Sequence, residues 1–203
     1  MNNICLFGAS GHGKVVKDVA LSQNKNVKAF FDDAPKTDFL DETPVFSANK
    51  IENYIENSFL ISIGNNRIRK EISKKINTKF ATLIHKTTII APNVLISEGT
   101  VVMGGTIINA GTKIGKHTII NTASVVEHDC RIADFVHISP NATITGNVSI
   151  NEGTHIGSGA VVIPNIKIGK WVTIGAGAVI ISDVPDFAVV VGNPSKIIKY
   201  NKG

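Results

Sequence analysis

The feature that most constrains this chain is an aliphatic residue at every sixth position from Ile84 to Ile180, without a break. All seventeen positions are Ile or Val, and four residues after each lies a small or β-branched residue in most repeats, such as Thr100 or Ala142. A period of six fits neither an amphipathic helix nor a lone alternating strand. It fits short strands separated by corners, with inward side chains stacked between the coils of a parallel β-helix. At three hexapeptides per coil the run makes roughly five coils. Its register leaves no long loop, so any active site must lie on the faces or between chains.

Residues 1–80 have a different pattern. Strand-like segments alternate with helix-compatible ones, which predicts a βαβ half of a Rossmann-type fold. The expected strands are Ile4–Phe7, Val27–Phe31 and Phe59–Ile63, and the expected helices are Lys14–Gln23 and Asn66–Ile76. We therefore predict a Rossmann-like nucleotide-sugar-binding domain over residues 1–80. A β-helix domain with a C-terminal tail is predicted over residues 81–203.

A glycine-rich turn, Gly8-Ala9-Ser10-Gly11-His12-Gly13, joins the first strand to the first helix. Backbone N–H groups at such a helix start can bind a phosphate. Asp32 and Asp33 end the next strand, about 20 residues on, where such folds bind a ribose. The turn predicts nucleotide or nucleotide-sugar binding, with His12 near the ligand. The alternative is a tight turn beside a surface Asp pair.

Composition excludes several other classes. The N-terminus lacks the basic region of a signal peptide, and no stretch approaches the ~20 apolar residues of a membrane span. The only cysteines, Cys5 and Cys130, lie in apolar periodic segments and are expected to be reduced core residues, which predicts a cytoplasmic protein. The net charge is +5, and many cations fall between Arg67 and Lys79. Because no aromatic residues are interleaved in that segment to stack on bases, we interpret it as a solvated helix face and not as a nucleic-acid site.

The most reactive combination is Glu127-His128-Asp129, because a carboxylate can set the tautomer and basicity of a neighbouring histidine. The alternative is a polar corner with no chemistry. Gly146 follows His128 by one coil of three hexapeptides, so its backbone N–H is predicted to face whatever His128 activates.

The remaining histidines are placed by the same coil length. His137 and His155 are one coil apart and are expected to stack, whereas His128 and His137 are half a coil apart and cannot share one face. A site that uses both must lie between subunits of a closed oligomer, and a trimer suits a three-sided prism. His85 and His117 are expected to be ordinary surface residues.

Taken together, several motifs resemble the hexapeptide-repeat sugar O/N-acyltransferases. Within them the chain is most similar to the PglD-like nucleotide-sugar 4-amino N-acetyltransferases of bacillosamine and perosamine synthesis, with the sialic acid O-acetyltransferases close by. The resemblance implies a left-handed parallel β-helix, a homotrimer, acetyl-CoA bound between neighbouring β-helices, and a UDP- or GDP-linked amino sugar held by the N-terminal domain. The motifs are Gly8–Gly13, Phe31-Asp32-Asp33, Ile63-Gly64-Asn65-Asn66, Glu127-His128-Asp129 and Gly192-Asn193-Pro194-Ser195-Lys196.

The resemblance also implies roles for individual residues. His128 matches the general base and Asp129 its carboxylate partner, which in the bacillosamine enzymes is a Glu. Asn121 matches a polar active-site residue and Gly146 the oxyanion donor. Positions that match acetyl-CoA contacts are His137, Ser158 and Ala176, and those that match nucleotide-sugar contacts are Ser10, Gly11, His12, Asp32, Asp33 and Gly64.

The predicted reaction is direct acetyl transfer from acetyl-CoA to the 4-amino group of a nucleotide-linked amino-deoxy sugar, without a metal. Cys130 occupies an inward repeat position and is rejected as a nucleophile. The alternatives are a sugar O-acetyltransferase, a zinc lyase that would recruit His128, His137 and His155 across subunits, an NAD-dependent oxidoreductase, and a non-catalytic scaffold. Asp129 and the tail favour acyl transfer over the lyase, and the short Rossmann half disfavours the oxidoreductase.

Overall fold

A computed structural model describes residues 3–201 of the chain. Its N-terminal part is a five-stranded sheet in the order β3-β4-β2-β1-β5, parallel except for the β3–β4 hairpin. Two α-helices and a 3-10 helix at Ala48–Tyr54 cover it. The elements are β1 (Asn3–Phe7), α1 (Gly11–Ser22), β2 (Asn26–Asp32), β3 (Phe39–Leu40), β4 (Thr43–Ser47), β5 (Ser58–Ile61) and α2 (Asn66–Lys75).

Alternation along the central strands places apolar side chains on both faces of this sheet. Ile4 and Leu6 of β1 pack with Val16, Val19 and Ala20 of α1, whereas the intervening side chains of β1 pack under α2. The three expected strands and two expected helices are confirmed, with boundaries shifted by one to three residues. The β3–β4 hairpin and the 3-10 helix were not predicted.

From Leu83 to Ile180 the chain forms a three-faced parallel β-helix whose strands are two residues long. Each strand pairs with the strand one coil further on, as Ile119 does with His137. The strands of the first face are Leu83–Ile84, Val101–Val102, Ile119–Ile120, His137–Ile138, His155–Ile156 and Thr173–Ile174. The strands of the second face are Ile89–Ile90, Ile107–Ile108, Val125–Val126, Thr143–Ile144, Val161–Val162 and Val179–Ile180. The strands of the third face are Leu95–Ile96, Lys113–Ile114, Arg131–Ile132, Ser149–Ile150 and Lys167–Ile168.

The six-residue period is also a period of the backbone. From Gly99 to Gly177, every sixth residue lies in the left-handed region, with φ between 52° and 76°. Glycine or asparagine occupies most of these positions, as expected where left-handed backbone is costly for other residues. Inward threonines satisfy the corners, since the Thr100 hydroxyl donates to the Gly115 carbonyl at 2.8 Å and Thr154 repeats this contact with Gly169. The predicted aliphatic ladders are confirmed as one continuous core.

The three faces differ in what covers their outward side chains. On the first face, Leu83, Val101 and Ile119 pack against β1, α1 and β2. The third face presents Lys113, Arg131 and Lys167 to solvent. The second face presents a mostly apolar row, here called the apolar row, on which no other element of residues 3–201 packs. Ile89 in this row is exposed and the others are half-buried, namely Ile107, Val125, Thr143, Val161 and Val179. The second face is therefore the one suited to packing against another chain.

The start of α2 joins the two parts of the molecule. The Asn66 amide donates to the carbonyls of Gly153 and Thr154, and Arg69 is completely buried against the β-helix. The expectation that the basic segment is a solvated face was therefore wrong at Arg69. The separate expectation that His117 is an ordinary surface residue was also wrong, because His117 is only 5% exposed and lies between Phe80 and Phe135. Both errors have one cause: α2 and Phe80 dock on a corner that would be solvated in an isolated β-helix.

The C-terminal segment closes the last coil. Strands Ala188–Val191 and Lys196–Tyr200 pair antiparallel and extend the first face. The tail motif continues the second face, because Val179 donates to the Gly192 carbonyl and accepts from the Ser195 N–H. Cys5 and Cys130 are free and buried, as expected.

Candidate active site

The corner between the second and third faces, here called corner II, brings three predicted residues together. His128 Nδ1 lies 2.9 Å from Asp129 Oδ2, and the His128 side chain is 60% exposed. Asp129 has a left-handed φ of 60°. Because a carboxylate only accepts hydrogen bonds, this contact selects the tautomer of the neutral imidazole that carries its proton on Nδ1 and its lone pair on Nε2.

Gly146 lies one coil further along corner II, beside the imidazole. A Cβ atom at residue 146 would lie 2.5 Å from His128 Nε2, so only glycine leaves the ring its space. The Gly146 carbonyl accepts from Asn165, whereas the Gly146 N–H has no acceptor among residues 3–201. Corner II thus places a free backbone donor next to a free imidazole nitrogen.

The corner between the first and second faces, corner I, contains another predicted set. Ser158 and Ala176 are exposed at its tip, each between two glycines. A Cβ at Gly159 or Gly177 would meet nothing within 4 Å, so this surface is flat and poor in side chains. Such a surface suits an extended, thin ligand. Asn121 also lies on corner I, so the single chain does not bring it to His128.

Three histidines form an imidazole cluster, defined as His12, His137 and His155, where the N-terminal part meets the first face. The rings of His137 and His155 stack at 4.8 Å with an interplanar angle of 11°, which confirms the stacking expected from their spacing. His12 lies 6.3 Å from His137. Burial lowers the pKa of His12 to about 4 and that of His137 to about 3, and it also lowers the pKa of His155. The cluster is therefore neutral at physiological pH.

The glycine-rich turn leaves the start of α1 open. Gly8 has a φ of 117°, and a Cβ at Gly13 would lie 2.5 Å from the Gly8 carbonyl oxygen, so these two glycines allow the helix to pack closely on the strand. A Cβ at Gly11 would meet nothing within 4 Å. The N-cap residue Ser10 makes no side-chain capping bond. The first N–H groups of α1 and the Ser10 hydroxyl thus remain available to an anion.

The two aspartates after β2 have different surroundings. Asp32 accepts from the Ala9 N–H and the Ala34 N–H, both at 3.0 Å, and so ties the glycine-rich turn to the end of β2. Asp33 is exposed and has no such partners among the described residues. Gly64 contributes its carbonyl to His137 Nδ1 at 3.3 Å. Of the predicted nucleotide-sugar residues, Asp32 and Gly64 therefore already have partners in the chain, whereas Ser10, Gly11 and Asp33 are free to bind a ligand.

A pocket of about 430 Å³ lies beside the imidazole cluster, where the start of α2 faces the later coils. Arg67 and Trp171 line it, with the guanidinium 4.8 Å from the indole ring centroid. Sequence reasoning missed Arg67, Arg69 and Trp171. The docking of α2 brings Arg67 and Arg69 against the coils that carry Trp171. In the sequence, only the position of Arg69 in a partly apolar helix indicated that such a residue could be buried. Within residues 3–201, no group of His, Cys, Asp and Glu side chains could hold a metal ion, and no helix is long and apolar enough to cross a bilayer.

Comparisons with known proteins agree with this architecture. Residues 3–76 match the PglD N-terminal domain, and residues 111–146 and 147–182 match the bacterial transferase hexapeptide (six repeats). GDP-perosamine N-acetyltransferase of Escherichia coli O157:H7 is 31% identical over 163 residues, 75% of this chain and 74% of the relative. UDP-N-acetylbacillosamine N-acetyltransferase of Bacillus subtilis is 41% identical over 108 residues, 49% of this chain and 50% of the relative.

A solved structure extends the agreement to the whole chain. A histidine variant of perosamine N-acetyltransferase from Caulobacter crescentus, in complex with CoA and GDP-perosamine, superposes with a TM-score of 0.93. It is 33% identical and covers 98% of each chain. The β-helix is therefore the left-handed one that the motifs implied. The chain belongs to the PglD-like family of hexapeptide-repeat nucleotide-sugar N-acetyltransferases.

Proposed function

We propose that this protein transfers the acetyl group of acetyl-CoA to the 4-amino group of a UDP- or GDP-linked amino-deoxy sugar, with His128 as the general base. One observation carries the assignment of the base. Asp129 holds the proton of His128 on Nδ1, and the exposed Nε2 lies against Gly146 in the next coil. The relatives named above act on amino sugars of this kind, and the solved complex contains both CoA and the nucleotide sugar.

The chemistry needs no covalent enzyme intermediate. The sugar amine attacks the thioester carbonyl, a C–N bond forms, and the carbonyl electron pair moves to oxygen. Nε2 of His128 takes a proton from the nitrogen, while Asp129 stabilises the imidazolium. The C–S bond then breaks, and CoA leaves as a thiolate that takes the proton from His128. General-base catalysis typically contributes ~10²–10⁴-fold, and a backbone donor such as the Gly146 N–H contributes roughly 3–4 kcal/mol to oxyanion stabilisation.

The N-terminal part supplies the nucleotide site in this proposal. The diphosphate binds the open start of α1, where Ser10 and Gly11 lie, and Asp33 binds the ribose. Asp32 shapes this site from below, since both its oxygens bond to the backbone around it. His12 lies in the same turn and close to the β-helix, so the nucleotide binds where the two parts of the molecule meet.

The complete site forms between chains of a homotrimer. If the second faces of three copies surround a three-fold axis, corner I of one copy meets corner II of the next. Each groove then receives Asn121, Ser158 and Ala176 from one chain and His128 from its neighbour. Residues that lie on different corners of one chain would in this way meet in a single site. The apolar row on the second face supports this arrangement, because a contiguous, solvent-accessible apolar face marks an association surface. Acetyl-CoA lies along the groove, with His137 behind it.

A thiol-release assay tests the activity. Acetyl-CoA is combined with a panel of UDP- and GDP-linked 4-amino sugars, with wild type beside His128→Ala. Turnover of one amino sugar, lost in the variant, is the expected result. Turnover of a hydroxyl acceptor alone, such as sialic acid, would move the protein to O-acetylation, and full activity of His128→Ala would refute the role of this histidine.

The trimer is tested separately by sedimentation. Val161→Glu places a charge on the apolar row and is expected to give monomers. Lys167→Glu, on the third face in the next strand, is the matched control and is expected to remain trimeric.

A further inference from the structure

Arg69 is a fully buried cation without a carboxylate partner in the described part of the chain. Its side chain is 0% exposed, and none of the ion pairs among residues 3–201 includes it. Burial lowers its pKa to about 9, so the guanidinium is still charged at neutral pH. All its hydrogen-bond acceptors among the described residues are neutral. They are the carbonyls of Ile63, Gly64, His117, Phe135 and Val136, and the amide oxygen of Asn66.

Two of these bonds flank His137. Arg69 Nη1 donates to the Gly64 carbonyl at 3.2 Å, and His137 Nδ1 lies 3.3 Å from the same oxygen. Arg69 Nη2 also contacts the carbonyl of Val136, the residue directly before His137. One guanidinium thus fixes both the acceptor that His137 uses and the strand that carries His137.

The hydrogen-bond roles follow from this acceptor. A carbonyl oxygen cannot donate, so His137 must carry its proton on Nδ1 and present a lone pair at Nε2. Nε2 lies 3.1 Å from Asn121 Nδ2, which donates to it. The other end of the Asn121 amide is also fixed, since Oδ1 accepts from the Thr122 N–H at 2.8 Å. The second Nδ2 hydrogen of Asn121 is then left for a ligand on corner I.

We propose that Arg69 is a positioning residue for the transfer reaction: it holds His137 as the neutral Nδ1–H tautomer, so that Asn121 presents an N–H donor to the groove between subunits. The inference rests on the proposed function, because that function gives the donor its ligand. Arg69 itself is completely buried, so it acts through His137 and not by contact with a ligand.

The charge of Arg69 acts in the same direction as its hydrogen bonds. Burial, the neighbouring His155, Arg69 and His12 together lower the pKa of His137 to about 3, whereas the Gly64 carbonyl raises it. These groups face His137 from α1, α2 and the next strand of the first face. A protonated His137 would place an N–H against the Asn121 amide, and the amide would lose its acceptor.

The tautomer is measured directly by ¹⁵N NMR of the ring nitrogens in histidine-labelled protein, with His137 assigned through His137→Gln. We expect a protonated Nδ1 and an unprotonated Nε2 in the wild type from pH 5 to pH 8. In Arg69→Met we expect a mixture of tautomers or a titrating ring. Arg131→Met, the matched control on the exposed third face, is expected to leave the spectrum unchanged. An Nε2–H tautomer in the wild type, or an unchanged Nδ1–H tautomer in Arg69→Met, would overturn the proposal.

Kinetics separate positioning from folding. With melting temperature and oligomer size as checks, kcat of Arg69→Met is expected to fall about 10²-fold, as for a misplaced site group, and Arg69→Lys is not expected to restore it. If Arg69→Met does not fold, His137→Leu tests the same arrangement, because it removes the acceptor for Asn121. Wild-type kcat in His137→Leu would refute the inference. Absence of acetyl transfer by the wild type would refute only the proposed function, since the NMR result does not depend on it.

Discussion

Replacement of Gly146 by alanine is expected to disable the base without unfolding the protein. The new Cβ would lie 2.5 Å from His128 Nε2 and 2.7 Å from Cε1, whereas ordinary contacts begin at 3.4 Å. The imidazole must therefore retreat by about 0.9 Å. A displacement of this size costs on the order of 10²-fold in rate, which corresponds to about 2.7 kcal/mol of transition-state stabilisation.

Stability is expected to change little in this variant. Gly146 is outside the left-handed region, so its backbone accepts a side chain, and the exposed ring can rotate away. The assay is a double-mutant cycle of thiol-release rates with Gly146→Ala, His128→Ala and the pair. Because alanine keeps the backbone N–H, the cost of Gly146→Ala is expected to vanish when His128 is already absent. A full 10²-fold further loss in the double variant would show that the substitution acts on a group other than His128, and would refute this prediction.

Three further predictions concern the N-terminal part and the imidazole cluster. Gly11→Val is expected to raise KM for the nucleotide sugar about tenfold or more at unchanged melting temperature, because the valine side chain would occupy the space proposed for the ligand. Gly13→Ala is expected to lower the melting temperature, because the new Cβ would lie 2.5 Å from a backbone oxygen. Asp32→Ala is expected to cost about 1–3 kcal/mol in denaturant unfolding by removing two backbone contacts, whereas Asp33→Ala is expected to raise KM alone. The imidazole cluster has folded-state pKa values below the ordinary value near 6.5, so the unfolded chain binds protons first. Stability in urea titrations is therefore expected to be complete above about pH 6.5 and to fall towards pH 4, and equal stability at pH 5 and pH 7.5 would contradict this.

The β-helix could be predicted closely because its determinants are local and repeated. The Ile or Val at every sixth position from Ile84 to Ile180 favours the same inward strand position in each repeat. A wrong assignment in one repeat would therefore not have changed the predicted register of the others. The β3–β4 hairpin had no such redundancy: Phe39–Leu40 is two residues long, and Pro44 interrupts the strand pattern of β4. Its pairing depends on the neighbouring β2, which a local pattern does not contain.

The candidate site was predictable for residues of the β-helix, whose neighbours in the next coil follow from the coil length of three hexapeptides. The one-coil spacing correctly placed Gly146 beside His128 and His155 beside His137. It could not place Arg69 or His117, because their burial depends on how α2 docks on the β-helix. A buried arginine whose hydrogen bonds all end on neutral oxygens looks, in sequence, like any other basic helix residue.

The stacking of coils has a consequence for substrate length. Successive strands on one face are about 4.8 Å apart along the axis. The N-terminal part is fixed to the early coils by Leu83 and Val101, and to later coils by Asn66, which bonds to Gly153 and Thr154. The axial separation between the start of α1 and His128 is therefore set in whole coils, because an insertion of less than a whole coil would move every later strand off its face. A whole coil inserted between Val101 and Gly153 would in turn separate the two sets of contacts that hold the N-terminal part. Evolution could thus fit this scaffold to a longer or shorter nucleotide sugar by changing loops of the N-terminal part, but not by shifts along the β-helix.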